Sequence, residues 1–210
     1  MKLVVRDLVK KKGDMYILNG AGYTFHHGKI YGIEGNKEAK NTLLDCITYE
    51  TDYNDGSIQL DCDGVDYLSP AMIVQMPEEP MFPEFLTVRE FIKYFIDINK
   101  KYMTQINTVD EYLKIAELDK IAADRTIRDF TTEEKVRLQL LCFVISTPAV
   151  IIINGIKNIS NVNFLKDIKK FFDILRKTSI IIIGSESRGM SMYLCDECLT
   201  IEDGYIRGGC

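Results

Sequence analysis

Lys29-Ile30-Tyr31-Gly32-Ile33-Glu34-Gly35-Asn36-Lys37-Glu38-Ala39-Lys40-Asn41-Thr42-Leu43-Leu44 decides how the rest of the chain is read. It gives a short apolar strand, a turn, and a helix with apolar residues at Leu43, Leu44 and Ile47. That is the layout of a phosphate-binding loop, where a glycine-rich turn lets backbone N–H groups and a lysine cradle phosphates at a helix N-terminus. The pattern G-x-x-x-x-G-K-[ST] is nevertheless not met. The loop between Gly35 and Lys40 is one residue short, Ala39 stands where the second glycine belongs, and Asn41 where a Mg²⁺-binding hydroxyl belongs. Lys37 and Glu38 occupy positions that usually need small residues. Gly35, Asn36, Lys40, Asn41 and Thr42 are the candidates for a degenerate phosphate site. Lys40 reads equally well as a first-turn surface lysine.

A chain of 210 residues suits one domain with a subdomain and a substantial core. Its 26 Lys and Arg against 31 Asp and Glu leave a formal net charge of −5, so no general attraction to nucleic acid or anionic lipid is expected. The run Lys10-Lys11-Lys12 reads as a solvated loop. The N-terminus alternates apolar and charged residues, so no secretory signal is expected. The apolar stretch Leu140 to Ile153 is broken by Ser146, Thr147 and Pro148, and falls short of the about 20 apolar residues that a membrane span needs. A soluble protein, or one bound to a membrane partner, is expected. The 6 cysteines lie mostly in apolar segments and read as buried thiols of a reducing compartment. Cys195-Asp196-Glu197-Cys198 has C-x-x-C spacing but no second pair at metal distance. His26 and His27 read as turn residues.

Taken in order, residues 2–9 predict a strand, a second follows the Gly13-Asp14 turn, and Tyr23-Thr24-Phe25 predicts a third. Gly56 to Leu60 begins another strand, with a turn signal at Asp63-Gly64. Ala71 to Val74 is a short strand, and the prolines from Pro77 to Pro83 force an irregular segment. Thr87 with Glu90 is a capping box opening a helix over Val88 to Lys100, and Val109 to Leu118 is a second helical pattern. Thr131-Thr132-Glu133-Glu134 opens a longer helix that Pro148 ends. Ala149 to Ile153 and Ile180 to Ile183 are continuous β-branched runs, the mark of buried parallel strands, with an amphipathic helix from Phe164 to Leu175 between them. Ser191 to Leu194 predicts a helical turn, and a closing hairpin turns at Asp203-Gly204. The fold class expected is α/β: a P-loop-like parallel sheet flanked by helices, with an N-terminal antiparallel β subdomain and a helical subdomain.

This order resembles, end to end, the nucleotide-binding domain of ABC transporters. Gly28 to Gly32 looks like the strand entering the Walker A loop. Met76-Pro77-Glu78-Glu79-Pro80-Met81-Phe82-Pro83, followed by Leu86 to Glu90, is similar to the Q-loop and the start of the helical subdomain. Phe130 to Glu134 lies where the signature L-S-G-G-Q belongs, Pro148 to Ile153 resembles the Walker B strand, and Ile201 to Ile206 looks like the C-terminal hairpin. The resemblance implies one domain over residues 1–210: a β subdomain with the P-loop-like unit over 1–70, a Q-loop-like segment over 71–83, a helical subdomain over 84–135, and the rest of the α/β core over 136–210. It implies ATP with Mg²⁺ as ligand, a dimer, a membrane permease or second ATPase subunit as partner, no nucleic acid, and a cytoplasmic place on the inner face of the membrane.

The functional positions of that family fare worse than its scaffold. Lys12 stands where an adenine-stacking aromatic is expected, with Tyr16 as a weak substitute. Glu78 replaces the Q-loop glutamine, Asn154 the Mg²⁺-supporting Walker B aspartate, Gly155 the catalytic glutamate, and Glu186 the switch histidine. At the signature, Thr131-Thr132-Glu133-Glu134 replaces both glycines, and Glu133 brings a carboxylate towards a polyanion. Two like unit charges about 4 Å apart repel by roughly 1 kcal/mol in water and about 4 kcal/mol at intermediate dielectric. Phosphoryl transfer depends on positioning and charge stabilisation, so these losses together remove most of the rate. No catalytic residue and no metal ligand is therefore assigned. Gly35, Asn36, Lys40, Asn41, Thr42 and Glu78 form the degenerate nucleotide site, and the losses count against ATP and Mg²⁺ being retained there.

The reading that follows is a pseudo-ATPase subunit docking on a permease or a competent ATPase. Phe82, Phe85 and Leu86 are its apolar docking candidates, and core packing is the other reading of all three. A divergent but working exporter ATPase is one alternative. A soluble nucleotide- or protein-binding module outside transport is the other.

Overall fold

Period-2 alternation in the first strand puts Leu3 and Val5 on one face, the register shift after Val5 brings Leu8 into the same core, and all three are buried. β1 (Lys2–Lys12) pairs antiparallel with β2 (Met15–His26) from Lys2↔His26 to Lys12↔Met15. β4 (Asp55–Cys62) pairs on its other side, and β5 (Val65–Asp66) closes the order β2-β1-β4-β5. The predicted second and third strands are one strand: register shifts between Val5 and Val9 of β1 absorb the irregularity around Gly20 and Gly22 without breaking the pairing. Lys10, Lys11 and Lys12 are not a loop but the end of β1.

The computed structural model describes residues 1–62, 65–66, 72–77, 79–103, 107–118, 123–154, 162–185 and 188–208. The expected turn at Asp63-Gly64 lies outside them. The chain forms two units, one from Met1–Met76, Pro148–Asn158 and Arg176–Cys210, the other from Pro77–Thr147 and Ile159–Leu175.

The first unit also contains a 6-stranded sheet built from β3 (Ile30–Gly35), β6 (Ile73–Met76), β7 (Val150–Asn154), β8 (Ile180–Gly184), β9 (Glu197–Glu202) and β10 (Tyr205–Gly208). Its order is β10-β9-β3-β8-β7-β6, and every pairing is parallel except the β9–β10 hairpin. β7 and β8 run in register from Val150↔Ile180 to Asn154↔Gly184. Ile151, Ile152, Ile181 and Ile182 are fully buried, as strands covered on both faces require. The hairpin turns through Asp203 and Gly204, at φ 51° and 80°, the left-handed pair that a tight two-residue turn needs. α1 (Lys37–Ile47) and α6 (Arg188–Leu194) belong to this unit. Asp196 ties the sheet together: its carboxylate accepts from Ile30 N at 2.8 Å and pairs with Arg176 at 3.0 Å.

In the second unit, three helices open on the same device. α2 (Val88–Asn99), α3 (Val109–Ile115) and α4 (Thr132–Ser146) each begin at a threonine whose hydroxyl accepts the third helical amide, while a glutamate there reaches back to the threonine amide. α4 ends at Thr147, in the left-handed region at φ 46°, just before Pro148. α5 (Val162–Leu175) buries Phe164, Ile168, Phe171 and Phe172. Arg137 of α4 meets Asp167 of α5 at 2.5 Å and Glu117 at 3.6 Å, with all three side chains at least half-buried. Lys170 extends this network to Glu117 and Asp167. Among the described residues, no helix is long and apolar enough to cross a membrane.

Candidate functional site

The strand-to-helix junction at Gly35 is where the site forms. Gly35 has φ 107°, and a β-carbon there would lie 2.5 Å from the Ile201 carbonyl oxygen. The glycine thus serves the packing of β3 on β9 as well as the turn. The expected loop between Gly35 and Lys40 is absent. Asn36 is the N-cap, and the helix already begins at Lys37. The shortened spacing explains this: with one residue fewer and no second glycine, the segment takes the helical path that Ala39 and the Asn36 cap favour. The Asn36 side chain accepts from Ala39 N at 3.1 Å, and its carbonyl accepts from Lys40 N at 2.9 Å. Two amides that a phosphate loop would present outward are thereby used inside the chain.

Lys40 is not a surface lysine. It is 2 % exposed, and its ammonium donates to the Ser185 carbonyl at 3.0 Å, just past the end of β8. A β-carbon on Gly184 would lie 2.9 Å from Asn154 Oδ1 and 3.5 Å from Lys40 Cδ, so the neutral amide ending β7 sits beside the lysine stem. A cleft of about 460 Å³ opens here, lined by Glu34, Gly35, Lys37, Lys40, Ser185 and Arg188. Of the sequence candidates, Gly35 and Lys40 meet in it. Asn36 works as a cap, while Asn41 and Thr42 sit half-buried in α1 and do not line the cleft. Glu78, Gly155 and Glu186 lie outside the described residues.

Sequence reading missed Glu34, Lys37, Ser185 and Arg188 as partners in one cleft. Glu34 carried a signal: a lone carboxylate directly after the apolar run Ile30 to Ile33, still within the strand. Its Oε1 is buried and has no hydrogen-bond partner among the described residues. Lys12, at the place expected for an adenine-stacking ring, instead pairs with Glu38 at 2.9 Å. That pairing holds the Lys12 ammonium above the usual lysine range, first through the hydrogen bond and then through charge. Tyr16 is exposed and carries the Lys11 ammonium 4.4 Å over its ring.

In the second unit, Thr131 caps α4. Its hydroxyl accepts from Glu134 N at 3.2 Å, and Glu134 accepts from Thr131 N at 2.8 Å and from Arg125 at 2.8 Å. Burial is the largest influence on the Glu134 carboxyl and pushes its pKa up, but the Thr131 amide and the Arg125 guanidinium together outweigh it and leave the pKa lowered. Thr132 and Glu133 form the first turn of α4, where Glu133 adds a second acid. Of the docking candidates, Phe82 packs edge-on against Phe91 at 5.3 Å, and Leu86 is half-buried, its carbonyl accepting from Ile127 N at 3.0 Å. Phe85 is 77 % exposed, and so is its neighbour Met81 at 89 %.

The described cysteines Cys46, Cys62, Cys142, Cys195 and Cys198 are thiols outside any disulfide. Burial pushes the Cys46 thiol up to about 11 and the Cys142 thiol up to about 12, so neither is a nucleophile. Among the described residues, no group of three His, Cys, Asp or Glu side chains could hold a metal ion. Among the described residues, Glu34 is the single carboxylate lining the cleft. This donor set, among the described residues, does not fit a resident Mg²⁺.

A parallel sheet with a strand–turn–helix lysine junction, an antiparallel N-terminal sheet and a helical unit make up the fold seen in ATP-binding cassettes. The chain has the fold of the ATP-binding domain of ABC transporters, and a sequence likeness to that family runs along nearly its whole length. No protein-family model matches the sequence. An uncharacterised ABC transporter ATP-binding protein of Methanocaldococcus jannaschii is 22% identical over 209 residues, which is 97% of this chain and 75% of that protein. A protein provisionally described as an ABC transporter ATP-binding protein of Pyrococcus furiosus superposes with a TM-score of 0.76 at 23% identity, over 95% of this chain and 97% of that one. A dimeric ATP-binding cassette in a post-hydrolysis state, bound to ADP and phosphate, superposes at 0.72 with 14% identity, over 98% of both chains.

Proposed function

We propose that this chain is an ABC-type ATP-binding-subunit homologue that does not hydrolyse ATP and docks on a membrane permease or a competent ATPase partner. One observation carries the reading: the helix begins at Lys37, and the lysine that should meet a phosphate is buried with its ammonium on the Ser185 carbonyl. A loop already wound into helix cannot wrap a triphosphate with its amides. Asn154 at the Walker B position adds a second loss, because an amide carries no charge to hold a metal or align water. The exposed pair Met81 and Phe85, beside the Q-loop-like segment, supports docking, because large apolar side chains this open to water favour a partner. Phe82 packs on Phe91 and Leu86 is half-buried, so both read as packing residues rather than docking ones.

Purified protein is expected to show ATP turnover no higher than that of Lys40→Ala, with Mg²⁺ and up to millimolar ATP. Turnover above that control overturns the reading. Replacing Phe85 and Met81 by Ser is expected to abolish co-purification with a permease while leaving the melting temperature unchanged. Full retention of the complex would remove those side chains from the docking surface.

A further inference from the structure

We infer that Cys195 and Cys198 form a redox-active dithiol that exchanges with small-molecule disulfides of the glutathione type, with Cys195 as the attacking thiol and Cys198 as the resolving one. Neither residue lines the cleft at Lys40, and the pair works whether or not the chain hydrolyses ATP.

The two thiols are the C-x-x-C of the sequence, and the fold puts both on one face of the parallel sheet. Cys198 stands in β9 in register with Gly32 of β3. In-register neighbours of a parallel pair carry their side chains on the same face. Tyr31, Ile33, Leu199 and Ile201 alternate to the opposite face, in the core that also holds Leu3 and Leu43. Cys195 follows α6 directly, and its sulfur lies over Gly32. A β-carbon there would be 3.0 Å from Cys195 Sγ and 3.2 Å from Ser191 Cβ, so the glycine leaves the space that the sulfur fills. With neighbouring strands about 4.8 Å apart, the Cys195 sulfur and the Cys198 β-carbon are at most about 8 Å apart on this face. The chain bends between them at Asp196. That bend is fixed to β3 twice: the Asp196 amide donates to the Ile30 carbonyl at 2.8 Å, and its carboxylate accepts from the Ile30 amide at 2.8 Å. A bend held in this way keeps the two thiols presented to each other, and side-chain rotation closes the gap towards disulfide geometry.

Exposure assigns the roles. Cys195 is half-buried and Cys198 is 8 % exposed, so a dissolved disulfide meets Cys195 first. The Cys195 thiolate attacks one sulfur of the small disulfide, whose S–S bond breaks and releases the first small thiolate. Cys198, as thiolate, then attacks the Cys195 sulfur and expels the second. The two protons of the pair end on the two released thiols, and two electrons pass from the pair to the small disulfide. Cys46 and Cys142, pushed by burial up to about 11 and about 12, hold too little thiolate to compete. In a reducing compartment such a bond is transient, which suits a sensor rather than a structural staple.

The test incubates the folded full chain with oxidised glutathione at neutral pH, quenches with acid, alkylates the remaining thiols and maps the peptides by mass. Cleavage after Arg188 and Arg207 releases one peptide, Gly189 to Arg207, that carries both cysteines. The expected product is that peptide two hydrogens lighter, unalkylated and without bound glutathione. It is expected to form at least about tenfold faster than any modification of Cys46 or Cys142, and to revert in reduced glutathione. Cys198→Ser is expected to stop at a glutathione adduct on Cys195. Cys195→Ser is expected to slow modification of Cys198 at least about tenfold. Melting curves show whether each variant is folded, and the time course of the unaltered chain decides even where one is not. An internal disulfide that forms only in urea, glutathione adducts that persist on both cysteines, an unmodified peptide, or Cys46 and Cys142 reacting as fast as the pair would each overturn the inference.

Discussion

The starts of α1 and α4 are both helix N-termini that the family resemblance sets against phosphate, and this chain closes them in different ways. At α1 the closure is made by backbone and a short side chain: Asn36 takes the Ala39 and Lys40 amides, and Gly35 lets β3 pass close to Ile201. The charges around it are mostly positive and line a cleft. At α4 the closure is made by acid: Glu134 occupies the Thr131 amide and is itself held by Arg125. The first end has lost its loop but kept the means to attract an anion. The second presents Glu133 and Glu134 and repels one. A helix start is therefore not an anion site until the charges and the competing caps around it are counted.

The comparison breaks most sharply at Gly35. Gly35→Ala would put a β-carbon 2.5 Å from the Ile201 carbonyl at a positive φ, so backbone must move. A loss of about 3–4 kcal/mol in unfolding free energy is expected by urea titration. A loss under about 1 kcal/mol would show that the β3–β9 contact is loose and that the closure at α1 has another basis. The matching test in the second unit is Arg137→Ala, which takes the more buried cation from Asp167 and Glu117 and leaves them the exposed Lys170. Removing one member of a half-buried charge network is expected to cost about 2–3 kcal/mol, with Arg137→Met recovering part of it through packing on Phe164. Equal loss in Arg137→Ala and Arg137→Met would assign the whole effect to the lost charge, and full recovery in Arg137→Met would assign it to packing.

The caps separate the two ends more finely. Thr131→Ala and Asn36→Ala each remove one side-chain acceptor and are each expected to cost about 1 kcal/mol. Urea titration of each variant checks these values, and a loss well under about 0.5 kcal/mol in either would show that groups other than the side-chain cap close that end.

The parallel strands were legible because runs such as Ile151 to Ile153 and Ile180 to Ile183 have no other stable place than a sheet covered on both faces. The Thr87–Glu90 capping box and the Thr131 cap were legible for a local reason, since each is complete within four residues, whereas the Thr108–Glu111 box emerged only in the structure. Hence Thr87 and Thr131 open helices where the sequence predicts them. The course of the chain after Gly35 was not legible. Family spacing suggested a loop, while local propensity and the Asn36 cap favoured helix, and the shorter segment let propensity prevail. Lys40 was undecided for a tertiary reason: its burial depends on Ser185, which lies 145 residues away. The cleft as a set was hidden in the same way, because Glu34 and Arg188 become neighbours only when β8 pairs with β3.

The smallest effect concerns pH at α4. The Glu134 carboxyl is held below its ordinary range in the folded chain, because Thr131 and Arg125 outweigh burial. Its unfolded pKa is about 4.3, so its contribution is fully present above that value and is lost as pH falls through the lower, folded value. Melting temperatures of the protein and of Glu134→Gln are therefore expected to differ most near neutrality and to converge below about pH 4. Arg125→Ala should shrink the difference near neutrality without removing it, because the Thr131 amide still favours the charged carboxyl. A gap between the two curves that stays constant from neutrality down to about pH 3 would mean that Glu134 acts on α4 through shape rather than charge. The acid-closed end would then differ from the Asn36-closed end only in the length of its cap.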